Sequence, residues 1–224
     1  MRSPLKRDDG QMSLAVVSLA LVVLMVGVGL MIFGQASDSR GKAQKAADAA
    51  ALAAATEMRY SWIGWWLRTQ PPPKSPVDWG PARGPSSSTP SMNAGRGAAN
   101  EYAAQNDNSS VTSYRQFPSG TSVHRVTVDT LAEKTDVSGT ADRLVGTPQA
   151  EATATAEVRA KAGIICRKQN VIWPPKSPTV ISWEVICSAP GVGSATVGYI
   201  GPVPMSASYD PDDFAKFFDI RLVD

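Results

Sequence analysis

The stretch QKAADAAALAAA, Gln44 to Ala55, decides how this chain is read. Ala46, Ala47, Ala49, Ala50, Ala51, Ala53, Ala54 and Ala55 leave Asp48 and Leu52 as its only larger side chains beyond Gln44 and Lys45. Alanine is the best helix former, and its methyl group lets another backbone come close around the whole circumference. The segment reads as a rod suited to lie against other rods, with Ala47, Asp48, Ala51 and Leu52 as packing positions. A plain rigid stalk is the alternative. The helical signal is longer than this core: Gln35 to Leu67 contains no proline, and only Gly41 and Gly64 interrupt it.

Upstream lies MSLAVVSLALVVLMVGVGLMIF, Met12 to Phe33, without one ionisable side chain. As a helix it would span roughly 33 Å, enough to cross a bilayer. Core helices of soluble proteins rarely stay apolar on every face for so long. The rival reading is a cleavable secretory signal, but its apolar region would be shorter, and GQASDSRGK after the run offers no clear small-x-small site. Gly27, Gly29 and Gly34, with Ser13, Ala15, Ser18 and Ala20, present thin surfaces of the kind that favour packing between transmembrane helices. The expected order is a short tail over 1–11, a transmembrane helix over 12–34 and an Ala-rich helical extension over 35–68.

Lys plus Arg number 22 against 20 Asp plus Glu, a net charge of +2 that carries no nucleic-acid footprint. Basic residues do not orient the helix either. Arg2, Lys6 and Arg7 precede it while Arg40, Lys42 and Lys45 follow. The cysteines are more telling. Cys166 and Cys187 stand in two apolar, β-branched segments joined by a Pro-rich loop, GIICRKQNVIWPPKSPTVISWEVICSAPG, so two strands can face their thiols. A disulfide there would close about twenty residues and contribute roughly 3 kcal/mol, in an oxidising compartment. Two unpaired buried thiols are the other reading. The disulfide reading puts the C-terminal part outside the cytoplasm.

Trp62, Trp65 and Trp66 lie near the far end of the helical extension. If the helix stands upright they are roughly 45 Å from the membrane surface, too far for an interfacial belt. They are read as interaction aromatics that pack on the folded domain or on a neighbouring subunit. Thr69 to Gly97 is rich in Pro, Gly and Ser and reads as a semi-stiff, surface-exposed connector over 69–97. PPKSP recurs at 72–76 and 174–178, either as a polyproline motif or by coincidence.

The remaining residues, 98–224, carry mixed signals of an α+β domain. AANEYAAQN (Ala98–Asn106) reads as a short helix with Asn106 and Asn108 in its C-terminal turn, and SVHRVTVDTL (Ser122–Leu131) as a strand. In QAEATATAEVRAK, Ala150, Ala152, Ala154, Ala156, Val158 and Ala160 alternate with Glu151, Thr153, Thr155, Glu157, Arg159 and Lys161. That period puts small apolar groups on one face of a strand, close to a covering helix. An antiparallel sheet of about four strands with helical cover follows. Near the C-terminus, Asp210 is placed to cap a helix beginning at Pro211, with Phe214, Phe217 and Phe218 as its apolar stripe. Asp210, Asp212 and Asp213 lack the spacing, central Gly and distal Glu of an EF-hand loop.

Chemistry is not signalled. His124 is the single histidine, and no nucleophile elbow, P-loop, Rossmann glycine pattern or zinc motif occurs. The glycines of APGVGSATVGYIGP lack the Lys and Ser/Thr of a phosphate loop and read as turns. No enzyme, cofactor, metal, nucleic acid or small-molecule substrate is expected.

The basic tail, DDGQ (Asp8–Gln11), the apolar helix and AQKAADAAALAAA (Ala43–Ala55) together resemble the N-terminal module of the TadE/TadG-like proteins of the tight-adherence, Flp-type pilus apparatus, in particular actinobacterial TadG-related members. The likeness covers about the first quarter of the chain; AANEYAAQN with the following strands, and FFDIRLVD, resemble the family less specifically. The resemblance implies a membrane-anchored minor pilin or pseudopilin. Its partners would be the lipid bilayer and other pilus-assembly or pilin-like membrane proteins. Its N-terminus would be cytoplasmic and its C-terminal domain extracytoplasmic, on a single pass of the plasma membrane. It also implies a peptidase cut between Gly10 and Gln11, although Ala15 stands where a mature prepilin usually carries glutamate. Two other classes stay open: an anchored adhesion or cell-wall-binding protein without a pilus role, and an anchored hydrolase using His124 or paired acids.

Overall fold

The computed structural model describes residues 11–133, 149–202 and 207–223, and for 11–14, 31, 32, 35 and 36 the backbone alone. The tail and Gly10 lie outside the described residues.

One helix, α1 (Gln11–Arg68), runs unbroken through the apolar run and the alanine stretch, about 87 Å at 1.5 Å per residue. Its two halves meet different surroundings. From Val16 to Leu30 every described large apolar side chain is exposed, whereas from Ala43 onward one face is closed. Ala43, Ala47, Ala50 and Ala54 begin that face, and Met58, Trp62 and Trp66 continue it. These positions recur every three or four residues, the spacing that lines up one side of a helix.

The face packs on a four-stranded antiparallel sheet formed by β1 (Ser110–Gly120), β2 (Val123–Leu131), β3 (Glu151–Ala160) and, near the C-terminus, β7 (Phe218–Val223), in the order β1-β2-β3-β7. The alternation in β3 has its expected effect. Ala154, Ala156, Val158 and Ala160 are buried toward α1, together with Val126 and Val128 of the neighbouring strand. Alanines on both sides let the helix lie close, and Thr130 Oγ1 donates to the Ala43 carbonyl at 3.2 Å. Strand β1 is an edge, where Pro118 costs no internal ladder bond.

Helix α2 (Arg96–Gln105) lies along α1. Asn106 Nδ2 donates to the Tyr102 carbonyl at 2.7 Å, and Asp107 and Asn108 take left-handed backbone angles that end the helix. A second antiparallel sheet consists of β4 (Ile165–Ile172), β5 (Ser182–Ala189) and β6 (Gly193–Ile200), in that order. The sequence pointed to one antiparallel sheet of about four strands; among the described residues a four-stranded sheet is accompanied by this second, three-stranded one. Cys166 and Cys187 face one another across β4 and β5 and are joined by a disulfide. This sheet meets the end of α1, where Tyr199 Oη donates to the Leu67 carbonyl at 2.9 Å and stacks on Trp183.

Short helix α3 (Pro211–Ala215) starts as read: Asp210 accepts from the Asp212 amide, Pro211 occupies the first turn, and Phe214 is buried. After it FDIRLV is not more helix but β7, paired with β3 from Phe218↔Ala160 to Val223↔Thr155. Phe217 and Phe218 are buried without sharing a helix.

The Pro/Gly/Ser stretch has little regular structure and is tied to the domain along its length. Gln70 is buried and clamps it, donating to the Arg83 carbonyl and accepting from the Arg83 amide, both at 2.9 Å. Trp66 Nε1 donates to that same carbonyl, and Trp62 Nε1 donates to the Pro85 carbonyl and Ser88 Oγ. Asp78 takes an ion pair at 3.0 Å from Lys168 of β4, which is itself buried. Buried indole N–H groups require acceptors, and this strap supplies them.

Candidate functional site

Three surfaces are candidates. The first is the N-terminal half of α1. Exposure reaches 65% at Val16 and 79% at Phe33, and a Cβ added at Gly27, Gly29 or Gly34 would meet nothing within 4 Å. The thin positions are therefore open along the free helix. Among the described residues no helix is long and apolar enough to cross a membrane. Residues from Ala15 to Val28, and Leu30, stand exposed along the helix. The apolar sequence itself continues to Met12 and Phe33 on either side.

The second is the alanine helix. Ala47 and Ala51, read as contacts for neighbouring rods, are buried in the chain's own core. Asp48 is half-buried and accepts from Gln44 Nε2 at 2.8 Å, while Leu52 is exposed. With Ala49, Ala53, Thr56, Ala98 and Tyr102, Leu52 lines a shallow apolar groove between α1 and α2. The tryptophans divide in the same way. Trp62 and Trp66 are fully buried, with Trp62 edge-on to His124 at 4.5 Å and Trp66 edge-on to Phe214 at 5.8 Å; Trp65 remains 52% exposed. His124 is buried in this aromatic packing, and burial pushes its imidazole below its ordinary value. Among the described residues no group of three or more His, Cys, Asp or Glu gathers in a metal-holding arrangement.

The third surface lies on the opposite face of the four-stranded sheet, and the sequence reading passed over it. Glu157 sits on the polar side of β3 with Arg125 opposite it on β2 and Arg221 opposite it on β7. Arg159 follows two residues along β3 on the same face. Arg125 Nε donates to Glu157 Oε2 at 3.0 Å, and Arg159 Nε and Arg221 Nη2 donate to Oε1 at 3.0 and 3.1 Å. The carboxylate is wholly covered while the guanidiniums stay 37%, 49% and 60% exposed in the order 125, 159, 221. Burial acts to raise the Glu157 carboxyl, but the three arginines outweigh it and hold it below its usual range. In the sequence Glu157 is one of several acids on an alternating strand; only strand register reveals that two further arginines flank it.

Against known proteins, residues 10–57 match the family model Tad, described as "Putative Flp pilus-assembly TadE/G-like". The match makes the N-terminal part of the chain, about a fifth of its length, similar to the TadE/TadG-like proteins. It covers the apolar run and the alanine stretch and stops short of Trp62. No curated protein and no solved structure matches the chain.

Proposed function

We propose that the chain is a membrane-anchored component of the tight-adherence pilus assembly or secretion system, resembling a minor pilin or pseudopilin. The observation that carries this reading is that one unbroken helix joins an exposed apolar half to a half buried as the spine of a folded domain. The TadE/G-like match covers the junction. An apolar surface of this kind in water is costly, at about 25 cal/mol per Å², and a bilayer removes that cost.

In this reading Met12 to about Gly34 spans the membrane with the N-terminus cytoplasmic. Gly27, Gly29 and Gly34 face other pilin-like helices there. Ala47 and Ala51 hold the protein's own domain, so partner contact beyond the bilayer falls to Leu52 and Trp65 and to the sheet faces. The disulfide fits a domain outside the cytoplasm. The bond between Gly10 and Gln11 is the proposed processing site.

Deletion of the chain is expected to remove surface pili. The full chain restores them, and a Val23→Arg/Leu24→Arg chain, with charge at the bilayer centre, does not. Normal pili on the deletion strain would refute the role. N-terminal sequencing of the membrane-extracted protein reads the processing: a start at Gln11 supports a filament subunit, and a start at Met1 a permanent anchor.

A further inference from the structure

We infer that the outer face of the four-stranded sheet is a docking surface for a protein partner presenting one or two clustered carboxylates, held by the Arg125, Arg159 and Arg221 guanidiniums around the buried Glu157 carboxylate.

The arrangement exceeds what a structural ion pair requires. Three guanidiniums carry about fifteen N–H donors. Five donor nitrogens lie within 3.1 Å of the Glu157 oxygens: Nε and Nη2 of Arg125, Nε and Nη2 of Arg159, and Nη2 of Arg221. Five N–H groups are thus engaged by the carboxylate, and the guanidinium-bearing side chains remain partly exposed to solvent. Among the described residues, Glu157 sets one negative charge against these three positive ones, and the nearby Asp219 is engaged by Lys161, so two positive charges stay uncompensated where three neighbouring strands meet in register. Like charges so placed repel one another, less where solvent screens them, and a bound anion would offset that repulsion. Glu157 holds the planar groups in fixed orientations, so little rotamer freedom remains to be lost on binding, and planar guanidiniums match carboxylates in a two-point fashion.

The surroundings select the occupant. Asp219 lies beside Arg159 in register and forms an ion pair at 3.3 Å with Lys161; Asp129, about 13 Å along β2 from Arg125, pairs with Arg115 at 3.5 Å. A long uniform polyanion crossing the sheet would meet these acids, whereas a compact acidic spot on a protein would not. A lipid headgroup is disfavoured by position, a step that rests on the proposed anchoring. His124, next to Arg125, packs on Trp62, which follows Phe33 by 29 residues, or about 43 Å along the helix.

The test uses the full chain in detergent micelles, so its outcome does not depend on whether pili form. A peptide with the sequence Gly-Glu-Gly-Glu-Gly is titrated while the arginine Nε–H resonances are followed by NMR. Resonances of Arg125, Arg159 and Arg221 are expected to shift and that of Arg115 to stay. The affinity is expected to fall at least about tenfold in Arg159→Gln/Arg221→Gln. Arg159→Lys/Arg221→Lys keeps the charge and guards against loss of the fold; it is expected to weaken binding several-fold through loss of two-point geometry. Absence of shifts, equal affinity for all three chains, or tighter binding of inorganic phosphate or of vesicles with anionic lipid than of the peptide would overturn the proposal.

Discussion

Gly95 and Gly97 stand two positions apart at the start of α2, and replacing each by alanine is expected to move stability in opposite directions. Gly95 is the N-cap residue, with φ −97° and ψ 4°, so its need for glycine is not a left-handed backbone. The need is space. A Cβ there would lie 2.2 Å from the Ala54 carbonyl oxygen and 2.6 Å from Ala54 Cα. Ordinary carbon contacts are about 3.5–4.0 Å, so α2 would have to retreat by more than about 1 Å, and the obstacle is backbone that cannot rotate aside. The bond from the Gly95 amide to Tyr114 Oη at 3.2 Å would go with it. Overpacking of this kind costs about 1–3 kcal/mol, and here we expect about 3. At Gly97 an added Cβ meets nothing within 4 Å and the residue is inside the helix. Alanine there should stabilise by about 0.5–1 kcal/mol. Urea unfolding of the full chain in a mild detergent, followed by tryptophan fluorescence, reads the difference, since Trp62, Trp66 and Trp183 are all buried. Equal midpoints for the two variants, or a Gly95→Ala chain as stable as the parent, would refute close packing of α2 on α1.

Reduction of Cys166–Cys187 should lower the stability of the domain by about 3 kcal/mol, seen as an earlier urea midpoint with dithiothreitol. An unchanged midpoint would mean the link is not formed in the protein. His124 has its folded value lowered by burial, so the unfolded chain takes up its proton first. Stability should be full above about pH 6.5 and fall as the pH drops through that value, and His124→Gln should flatten this slope between about pH 7 and 5.5. Tyr199→Phe removes the donor to the Leu67 carbonyl and should cost about 1 kcal/mol, because Gln70 N still reaches that oxygen at 3.4 Å. A loss above about 3 kcal/mol would show that the hydroxyl does more than join sheet and helix.

What the sequence made legible were features set by local pattern. Strict alternation from Ala150 to Ala160 placed β3 and its buried face, the spacing of two β-branched segments brought Cys166 to Cys187, and Asp210-Pro211 marked the start of α3. The proline-free run beyond Gln35 allowed one helix to continue out of the apolar segment. What it concealed depended on partners distant in sequence. FDIRLV has no strand alternation stronger than its helix-like phenylalanine spacing, and becomes β7 because β3 offers an open edge beside it. Composition said that 69–97 lacks regular structure, but not that two buried indoles and Gln70 would fix it in place. Small residues from Ala46 to Ala55 announced close packing without naming the surface, which is this chain's own sheet and α2. The Glu157 cluster needed the register of three strands before its charges could be counted.

Under the proposed function, one helix passes from lipid into the core of a folded domain. Nitroxide labels on cysteines placed at Val22 and at Leu52, both exposed along α1, test it in the full chain reconstituted in vesicles. Collision rates with oxygen, which concentrates in the bilayer, are compared with those of a water-soluble nickel chelate. Val22 is expected to meet oxygen and to be shielded from nickel, with the reverse at Leu52. Equal nickel access at the two positions would contradict it.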